Sequence, residues 1–335
     1  MNSLPSDNKT RRLYDRYGRS LNYLRISVTD RCNLKCTYCM PENGVVFRNT
    51  SDILSFEEIS RVVKAAADLG IHKIRLTGGE PLSRKEIAKL IGSLSRIKSI
   101  SDLSITTNGT LLKYFIMELK EAGLKRINIS LDTLNEKKYK LITGTDYFRD
   151  NIEGVDKSLE AGLFPVKINT VMIKGINDDE IEDFVRLAVD KPLSLRFIEF
   201  MPVGQNSFWE KKKFIPVSEI KERCRRLVGL EPIDITENSG PARSYKIRGG
   251  LGTVGFISPL SDPFCFRCTR LRLTADGHLR PCLFNEYQVD LKRPLREGCS
   301  REELAALIRR ATEHKEKKYD FQSPGSLPAM SKVGG

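Results

Sequence analysis

Six short apolar runs alternate with amphipathic segments along the first two hundred residues of the chain. The runs are rich in Ile, Val, Leu and Phe, which favours strands. They cover residues 21–29, 71–77, 102–107, 125–131, 165–173 and 193–200. Between the runs, apolar residues recur at helical spacing in segments 56–69, 85–97, 111–122 and 181–189. Six strand–helix units in succession predict a parallel sheet.

Unusual polar groups follow nearly every predicted strand. Three cysteines follow the first strand, and Thr77-Gly78-Gly79-Glu80-Pro81 ends the second. In βα barrels function gathers at the carboxyl ends of several strands, whereas a Rossmann fold concentrates its signal in a GxGxxG turn after the first. That turn is absent there. We therefore predict an α/β fold with a partial (βα)6 TIM-like barrel.

The pattern changes beyond about residue 215. A helical segment at 218–228 is followed by sequence rich in Pro, Gly and Ser, with short strands and a predicted hairpin that turns at 275–277. A last amphipathic helix is predicted at 301–316. We expect three parts: an N-terminal extension (1–15), the barrel (16–235) and a smaller C-terminal region (236–335) that closes the barrel's open side.

The net charge of +13 on 335 residues favours anionic partners such as nucleotides or phosphates. A basic, solvated surface is the plain alternative, and the segment 315–318 is interpreted in that way. The sequence has no apolar run long enough to span a membrane and no apolar leader at its N-terminus. We therefore expect a cytoplasmic protein, in whose reducing environment cysteines bind metal or stay free.

The eight cysteines form two sets of three and two single residues. They are Cys32, Cys36 and Cys39; Cys265, Cys268 and Cys282; and the single Cys224 and Cys299. Structural zinc and simple [4Fe–4S] sites take four protein ligands, so three thiolates leave one metal position open. Two reactive centres, one shared site, or a zinc ion held by the second set with His278 are all compatible with the spacing. Cys224 is interpreted as a buried small hydrophobe, and Cys299 has no assigned role.

The first set resembles the radical S-adenosylmethionine superfamily. Its spacing is Cys-x3-Cys-x2-Cys, Tyr38 precedes the third cysteine, and the Gly-Gly-Glu segment follows the next strand. In that superfamily the three thiolates hold a [4Fe–4S] cluster whose fourth iron chelates S-adenosylmethionine. One electron then cleaves this cofactor to methionine and a 5′-deoxyadenosyl radical. The resemblance implies the same chemistry here.

The second set narrows the resemblance to the molybdenum cofactor biosynthesis protein A family, the GTP 3′,8-cyclases. Cys-x2-Cys-x13-Cys and the sequence CTRLR at 268–272 carry it, and it extends from about residue 16 to 335. It implies conversion of GTP to (8S)-3′,8-cyclo-7,8-dihydroguanosine 5′-triphosphate, the first step of molybdenum cofactor (molybdopterin) biosynthesis. A second [4Fe–4S] cluster would bind the guanine at its open iron.

The resemblance also implies site residues and partners. Contacts to S-adenosylmethionine fall on Tyr38, Gly79, Ser130 and Met201, and contacts to GTP on Arg25, Arg75, Thr106, Lys167, Arg270 and Arg272. Guanidinium groups suit a triphosphate, whose oxygens they bind bidentately. A salt bridge from Arg75 or Lys167 to Glu199 or Asp132 is the alternative. The end of the chain, Gly334-Gly335, is expected to reach the active site. A homodimer, a one-electron donor and a downstream cyclic pyranopterin monophosphate synthase are expected, with no nucleic-acid or membrane partner.

Two other classes remain open from the sequence. A radical peptide maturase also carries extra clusters after its barrel, although such enzymes usually have more C-terminal cysteines. A basic zinc-binding nucleic-acid module would explain the charge and one CxxC motif, but it leaves the six βα units unexplained.

Overall fold

The computed structural model describes residues 12–40, 46–202, 208–234 and 240–319. The predicted diglycine contact at 334–335 lies outside these residues. Within the described parts, no helix has both the length and the apolar character that a membrane crossing requires.

The six predicted strands are all present and lie next to one another in chain order, each pair parallel. They are β1 (Tyr23–Ser27), β2 (Lys73–Thr77), β3 (Asp102–Thr107), β4 (Arg126–Ser130), β5 (Val166–Met172) and β6 (Leu193–Glu199). The partial parallel barrel predicted from the apolar runs is thereby confirmed.

Strands from residue 230 onward extend this sheet at both edges. They are β7 (Leu230–Pro232), β8 (Arg243–Ile247), β9 (Thr253–Ile257), β10 (Arg270–Leu273), β11 (His278–Arg280) and β12 (Val289–Asp290). The twelve-stranded order is β12-β11-β10-β1-β2-β3-β4-β5-β6-β9-β8-β7, with β9 parallel to β6 and β10 parallel to β1. The sheet stays open, and β10 and β11 form the predicted hairpin.

Nine helices occur in the described residues, and six of them match predicted segments. They are α1 (Phe56–Asp68), α2 (Ile87–Ser95), α3 (Leu112–Glu121), α4 (Glu136–Thr143), α5 (Phe148–Glu160), α6 (Ile181–Asp190), α7 (Val217–Leu227), α8 (Lys292–Arg296) and α9 (Arg301–Glu313). The sequence analysis assigned no helix to α4, α5 or α8. The side chain of Asn135 caps α4 by accepting hydrogen bonds from the amides of Lys137 and Lys138.

The main core is one continuous cluster of apolar side chains between the sheet and the helices. Cys224 is fully buried in it, as predicted. Helix α9 begins with a capping box between Ser300 and Glu303 and packs against α1. Just beyond its end, Lys315 is only 2% exposed, so the solvated face predicted there is wrong for this residue. Lys317 and Lys318 are exposed.

Candidate active site

A cavity of about 390 Å³ brings together every predicted site residue that the structure describes. These are the six cysteines of the two sets, Tyr38, Gly79, Ser130 and Met201, together with Arg25, Arg75, Thr106, Lys167, Arg270 and Arg272. The lining includes inward-facing strand residues and the loops that follow the strands. Such a cavity is large enough for a small-molecule site.

The first cysteine set lies in the loop that follows β1, and none of its thiols forms a disulfide. The amide of Leu34 donates to the Cys32 sulfur at 3.4 Å, and Asn108 Nδ2 lies 3.8 Å from it. Burial raises the pKa of Cys32 to about 11 and that of Cys36 well above its ordinary value. The bare thiols of Cys32 and Cys36 therefore keep their protons, and bound iron would displace these protons. A set of three adjacent free thiols with amide donors fits a cluster.

The Gly-Gly-Glu segment packs directly on the backbone that leads into this loop. The amide of Gly79 donates to the Thr29 carbonyl at 2.8 Å. A Cβ at Gly78 would lie 2.4 Å from that carbonyl oxygen, and one at Gly79 would lie 2.2 Å from the carbonyl oxygen of Arg31. Glycine is required at both positions because the chain itself approaches so closely.

Glu80 joins the ends of β2 and β3 beneath the first cysteine set. Its fully buried carboxylate accepts hydrogen bonds from the amide of Leu82 (2.9 Å), the hydroxyl of Thr107 (2.7 Å) and the amide of Asn108 (2.7 Å). Burial raises the pKa of Glu80 to about 7, against the opposing effect of these donors. The side chain thus holds Asn108 in place beside Cys32.

Tyr38 ties the cysteine loop to β4 and β5. Its hydroxyl donates to Asp132 Oδ2 at 2.5 Å, and Asp132 Oδ1 accepts from the amide of Val171 at 2.8 Å. Burial raises the pKa of Asp132 to about 6 and that of Tyr38 well above its usual range. This pair fixes the aromatic ring between the second and third cysteines of the first set.

Cations dominate the rest of the lining. Ten Lys and Arg residues line the cavity, against three carboxylates; the cations are Arg25, Lys73, Arg75, Arg126, Lys167, Arg196, Arg267, Arg270, Arg272 and Lys315. In the sheet register, Arg25 lies between Arg272 on β10 and Arg75 on β2. Burial and the neighbouring cations lower the pKa of Lys167 to about 6 and that of Arg196 to about 9.

The three cavity carboxylates bind mainly to groups other than these cations. Asp102 pairs with Arg126 (Nε–Oδ1 3.0 Å), and Asp132 bonds Tyr38. Glu199 accepts from the amides of Val217, Leu260 and Ser261. Within the described parts of the chain, no ion pair is found for Arg25, Arg75, Lys167 and Arg196. Neither Glu199 nor Asp132 therefore neutralises Arg75 or Lys167.

Several buried polar atoms in the same region have no hydrogen-bond partner. They are the Nε atoms of Arg25 and Arg196, the hydroxyl of Thr106 and Oδ1 of Asn169. Buried cations and orphaned polar atoms are costly unless an anion or another polar group reaches them. The arrangement fits a polyanionic ligand bound in this cavity.

The second cysteine set faces the same cavity from the C-terminal strands. Cys265 and Cys268 flank a short turn before β10, and Cys282 follows β11. Burial alone would raise the pKa of Cys268, but Arg270 and Lys315 bring it down to about 5, and the Arg270 side chain hydrogen-bonds the sulfur. A thiolate stabilised by cations fits a metal-cluster ligand.

Neither cysteine set is arranged around a single ion. Among the described residues, no three His, Cys, Asp or Glu side chains lie close enough to hold one metal ion. Zinc–sulfur bonds of about 2.3 Å would draw thiolates to within about 4 Å of one another, whereas each cluster thiolate binds a different iron. His278 lies instead 3.3 Å from Asp276 and does not line the cavity. The zinc alternative with His278 is thus not supported.

This parallel sheet, with a free three-cysteine loop after its first strand, defines the protein as a radical S-adenosylmethionine enzyme. The model of the Radical SAM superfamily matches residues 26–188, and that of Molybdenum Cofactor Synthesis C matches residues 193–321. The particular family follows from the relatives. The chain belongs to the GTP 3′,8-cyclase family.

Two relatives illustrate this membership. The GTP 3′,8-cyclase of Moorella thermoacetica is 48% identical over 96% of this chain and 100% of its own. That of Thermodesulfovibrio yellowstonii is 50% identical over 96% and 99%. Streptococcus suis SuiB, solved with bound S-adenosylmethionine, has the same fold at a TM-score of 0.59 and 19% identity. The match covers 81% of this chain and 63% of SuiB, which is less than two thirds of that longer protein.

The sequence analysis missed several residues that shape the cavity. Arg196 received no role, although a cation in the middle of the apolar run LSLRFIEF is itself a signal of a site. Glu80, Asn108 and Asp132 received no role, because their contacts join different strand ends. Lys315 was assigned to solvent.

Proposed function

We propose that this protein is a GTP 3′,8-cyclase that converts GTP to (8S)-3′,8-cyclo-7,8-dihydroguanosine 5′-triphosphate, the first step of molybdenum cofactor biosynthesis. The observation that carries the proposal is a set of buried cations without carboxylate partners, in a cavity lined by two three-cysteine sets. Family membership supplies the reaction, and the cavity chemistry agrees with it.

The first cysteine set would hold one [4Fe–4S] cluster, with Tyr38, Gly79, Ser130 and Met201 against S-adenosylmethionine. When bound, the cluster and S-adenosylmethionine together supply a carbon radical that takes hydrogen from the ribose of the substrate. The chain's part is to hold the ligands. Tyr38 is fixed by Asp132, and the loop end is fixed by the contacts of Gly79 with Thr29.

GTP would bind on the opposite side of the cavity. Arg25, Arg75, Arg270, Arg272 and Lys167 would neutralise the triphosphate, each guanidinium offering two parallel donors. The hydroxyl of Thr106, which has no described partner, would donate to the nucleotide. We add Arg196 to this set, since it is buried among the same cations and has an unpartnered Nε.

The second cysteine set would hold the other [4Fe–4S] cluster and present an open iron to the guanine. Three thiolates leave that position open. The described cysteines support this because all three face the cavity while His278 does not. A peptide maturase, the alternative activity, would have no comparable use for a row of buried cations.

Further parts of the proposal concern the whole protein. The limits 1–15, 16–235 and 236–335 are kept as a proposed division, although strands of the last part continue the barrel sheet. A homodimer, a one-electron donor and a downstream cyclic pyranopterin monophosphate synthase are proposed from the family. Gly334 and Gly335 are proposed to reach the substrate.

The direct test is turnover under anaerobic conditions by the reconstituted protein with GTP, S-adenosylmethionine and a chemical reductant. We expect one 5′-deoxyadenosine for each cyclised nucleotide. We expect no product from Arg272→Ala, and unchanged turnover from Arg248→Ala, whose side chain is 76% exposed. Cleavage of S-adenosylmethionine without consumption of GTP would refute the proposed substrate.

A further inference from the structure

Two buried cations hold the backbone around all three cysteines of the second set. Arg19, from the N-terminal segment, donates from Nη1 to the carbonyl of Cys265 at 2.6 Å. Lys315, just past α9, donates from Nζ to the carbonyls of Arg270 (2.9 Å) and Pro281 (2.6 Å). Those carbonyls lie two residues after Cys268 and one residue before Cys282. Every cysteine of the set therefore carries a carbonyl that a cation binds or lies within two residues of one.

Arg19 also binds the segment that carries Lys315. Arg19 Nη2 donates to the carbonyl of Glu316 at 2.7 Å, and Nη1 reaches that of Lys317 at 3.3 Å. Asn285, three residues after Cys282, donates to the carbonyl of His314 at 3.0 Å. The segment 314–317 is thus fixed against the second cysteine set from several sides.

The two cations differ in whether a carboxylate neutralises their charge. Arg19 forms a buried ion pair with Asp15, whose carboxylate side chain is fully buried (Nε–Oδ2 2.5 Å). Lys315 forms no ion pair with any carboxylate in the described parts of the chain. Its partners there are neutral carbonyls, and it is 2% exposed. One cation is locally neutralised and the other is not.

We propose that Lys315 acts on the second cluster as an uncompensated buried positive charge that makes the cluster easier to reduce, whereas Arg19, whose charge Asp15 neutralises, holds the backbone without changing the cluster's reduction potential. The inference rests on the second cluster of the proposed function. Reduction adds one electron from an external chemical reductant, so the cluster gains one negative charge. A nearby cation stabilises this reduced form, because the net charge around a cluster helps to set its reduction potential.

The variants separate charge from hydrogen bonding. Lys315→Gln removes the charge and keeps a donor, while Lys315→Arg keeps the charge. Lys318→Gln removes the same charge from an exposed side chain nearby in the sequence and is the matched control. Arg19→Gln together with Asp15→Asn removes a neutral pair. Asp15→Asn alone removes the carboxylate that neutralises Arg19 and so leaves a net positive charge beside Cys265.

The measurement is a potentiometric titration followed by electron paramagnetic resonance, in full-length chains that carry Cys32/Cys36/Cys39→Ala. Only the second cluster then gives a signal. We expect Lys315→Gln to lower the equilibrium constant for reduction about tenfold, a shift of about 59 mV for one electron. Lys315→Arg, Lys318→Gln and the Arg19/Asp15 double variant should stay at the reference value. Asp15→Asn should move the potential in the opposite direction.

The experiment distinguishes a failure of this proposal from a failure of the proposed function. If iron and sulfide analysis of the reference chain finds no cluster, the proposed function fails before the titration begins. If the cluster is present and Lys315→Gln leaves its potential unchanged, the role of Lys315 is refuted. If Lys315→Gln does not assemble, Asp15→Asn decides, since an unshifted potential there contradicts the charge argument. An equal shift in Lys318→Gln would also overturn it.

Discussion

Lys167 gives the sharpest test of the claim that the cavity binds a polyanion. Burial, followed by repulsion from Arg196, Arg126 and Arg75, lowers its pKa to about 6, and Asp102 opposes this only weakly. Without ligand, Lys167 is therefore mostly neutral at pH 8. A triphosphate at the site would favour the ammonium form, so binding at pH 8 takes up a proton.

The size of the effect follows from that pKa. About half of the side chain is charged at pH 6 and about one part in a hundred at pH 8, a ratio of about fifty. If GTP requires the charged form, the contribution of Lys167 to binding falls by about 2.3 kcal/mol over this interval. The affinity for GTP should therefore weaken as the pH rises, the sign expected for a base whose pKa is lowered in the free protein.

The assay is anaerobic titration calorimetry of the reconstituted protein with GTP, without S-adenosylmethionine so that no turnover occurs. The phosphate group of GTP also titrates near pH 6, so the wild type is compared with Lys167→Met at each pH. We expect the advantage of the wild type to shrink about fiftyfold from pH 6 to pH 8, with almost one proton taken up at pH 8. Lys120→Met, on the exposed side of α3, should behave as wild type. A constant ratio without proton uptake would refute the reasoning.

Three further changes test the packing around the first cysteine set and the end of the chain. Gly79→Ala should lower the free energy of unfolding by about 3 kcal/mol or more and reduce iron loading, because its Cβ would overlap the Arg31 carbonyl. The control is Gly92→Ala, whose Cβ meets nothing closer than 3.7 Å and which should leave the thermal melt unchanged. Glu80→Gln should cost about 1–3 kcal/mol in chemical denaturation, because one acceptor oxygen is lost from a buried three-bond site; unchanged stability would contradict that role. Deletion of Gly334-Gly335 should abolish turnover with iron content intact, and normal activity would exclude a role for the tail.

The barrel strands could be predicted because their signal is local. Each run buries its own apolar side chains, so its composition alone indicates a strand. Helix α4 was missed because it is short and polar, with only Tyr139, Ile142 and Thr143 buried. Its capping residue, Asn135, was a local signal that could have placed it.

Contacts between distant parts of the chain could not be read from the sequence. Nothing local to β9 or β10 indicates that they pair with β6 and β1. The same holds for Lys315, which lies in a charged stretch that is typical of a solvated face. Its burial follows from where α9 ends relative to the hairpin, at carbonyls more than thirty residues away.

The residues of the candidate site that belong to sequence motifs were predicted well. The ion pairs between its charged side chains were not. All sixteen described residues inferred from the motifs line one cavity. The sequence left open whether Glu199 or Asp132 neutralises Arg75 and Lys167. That question depends on side-chain geometry, and the structure gives both carboxylates to other donors.

The central claim is that each three-cysteine set holds its own [4Fe–4S] cluster. The most direct measurement is a count of iron, sulfide and zinc after anaerobic reconstitution, on wild type and on Cys265/Cys268/Cys282→Ala. We expect about eight irons in the wild type and about four in the variant, with no zinc in either. About four irons and one zinc in the wild type would contradict the account, since the second set would then be structural.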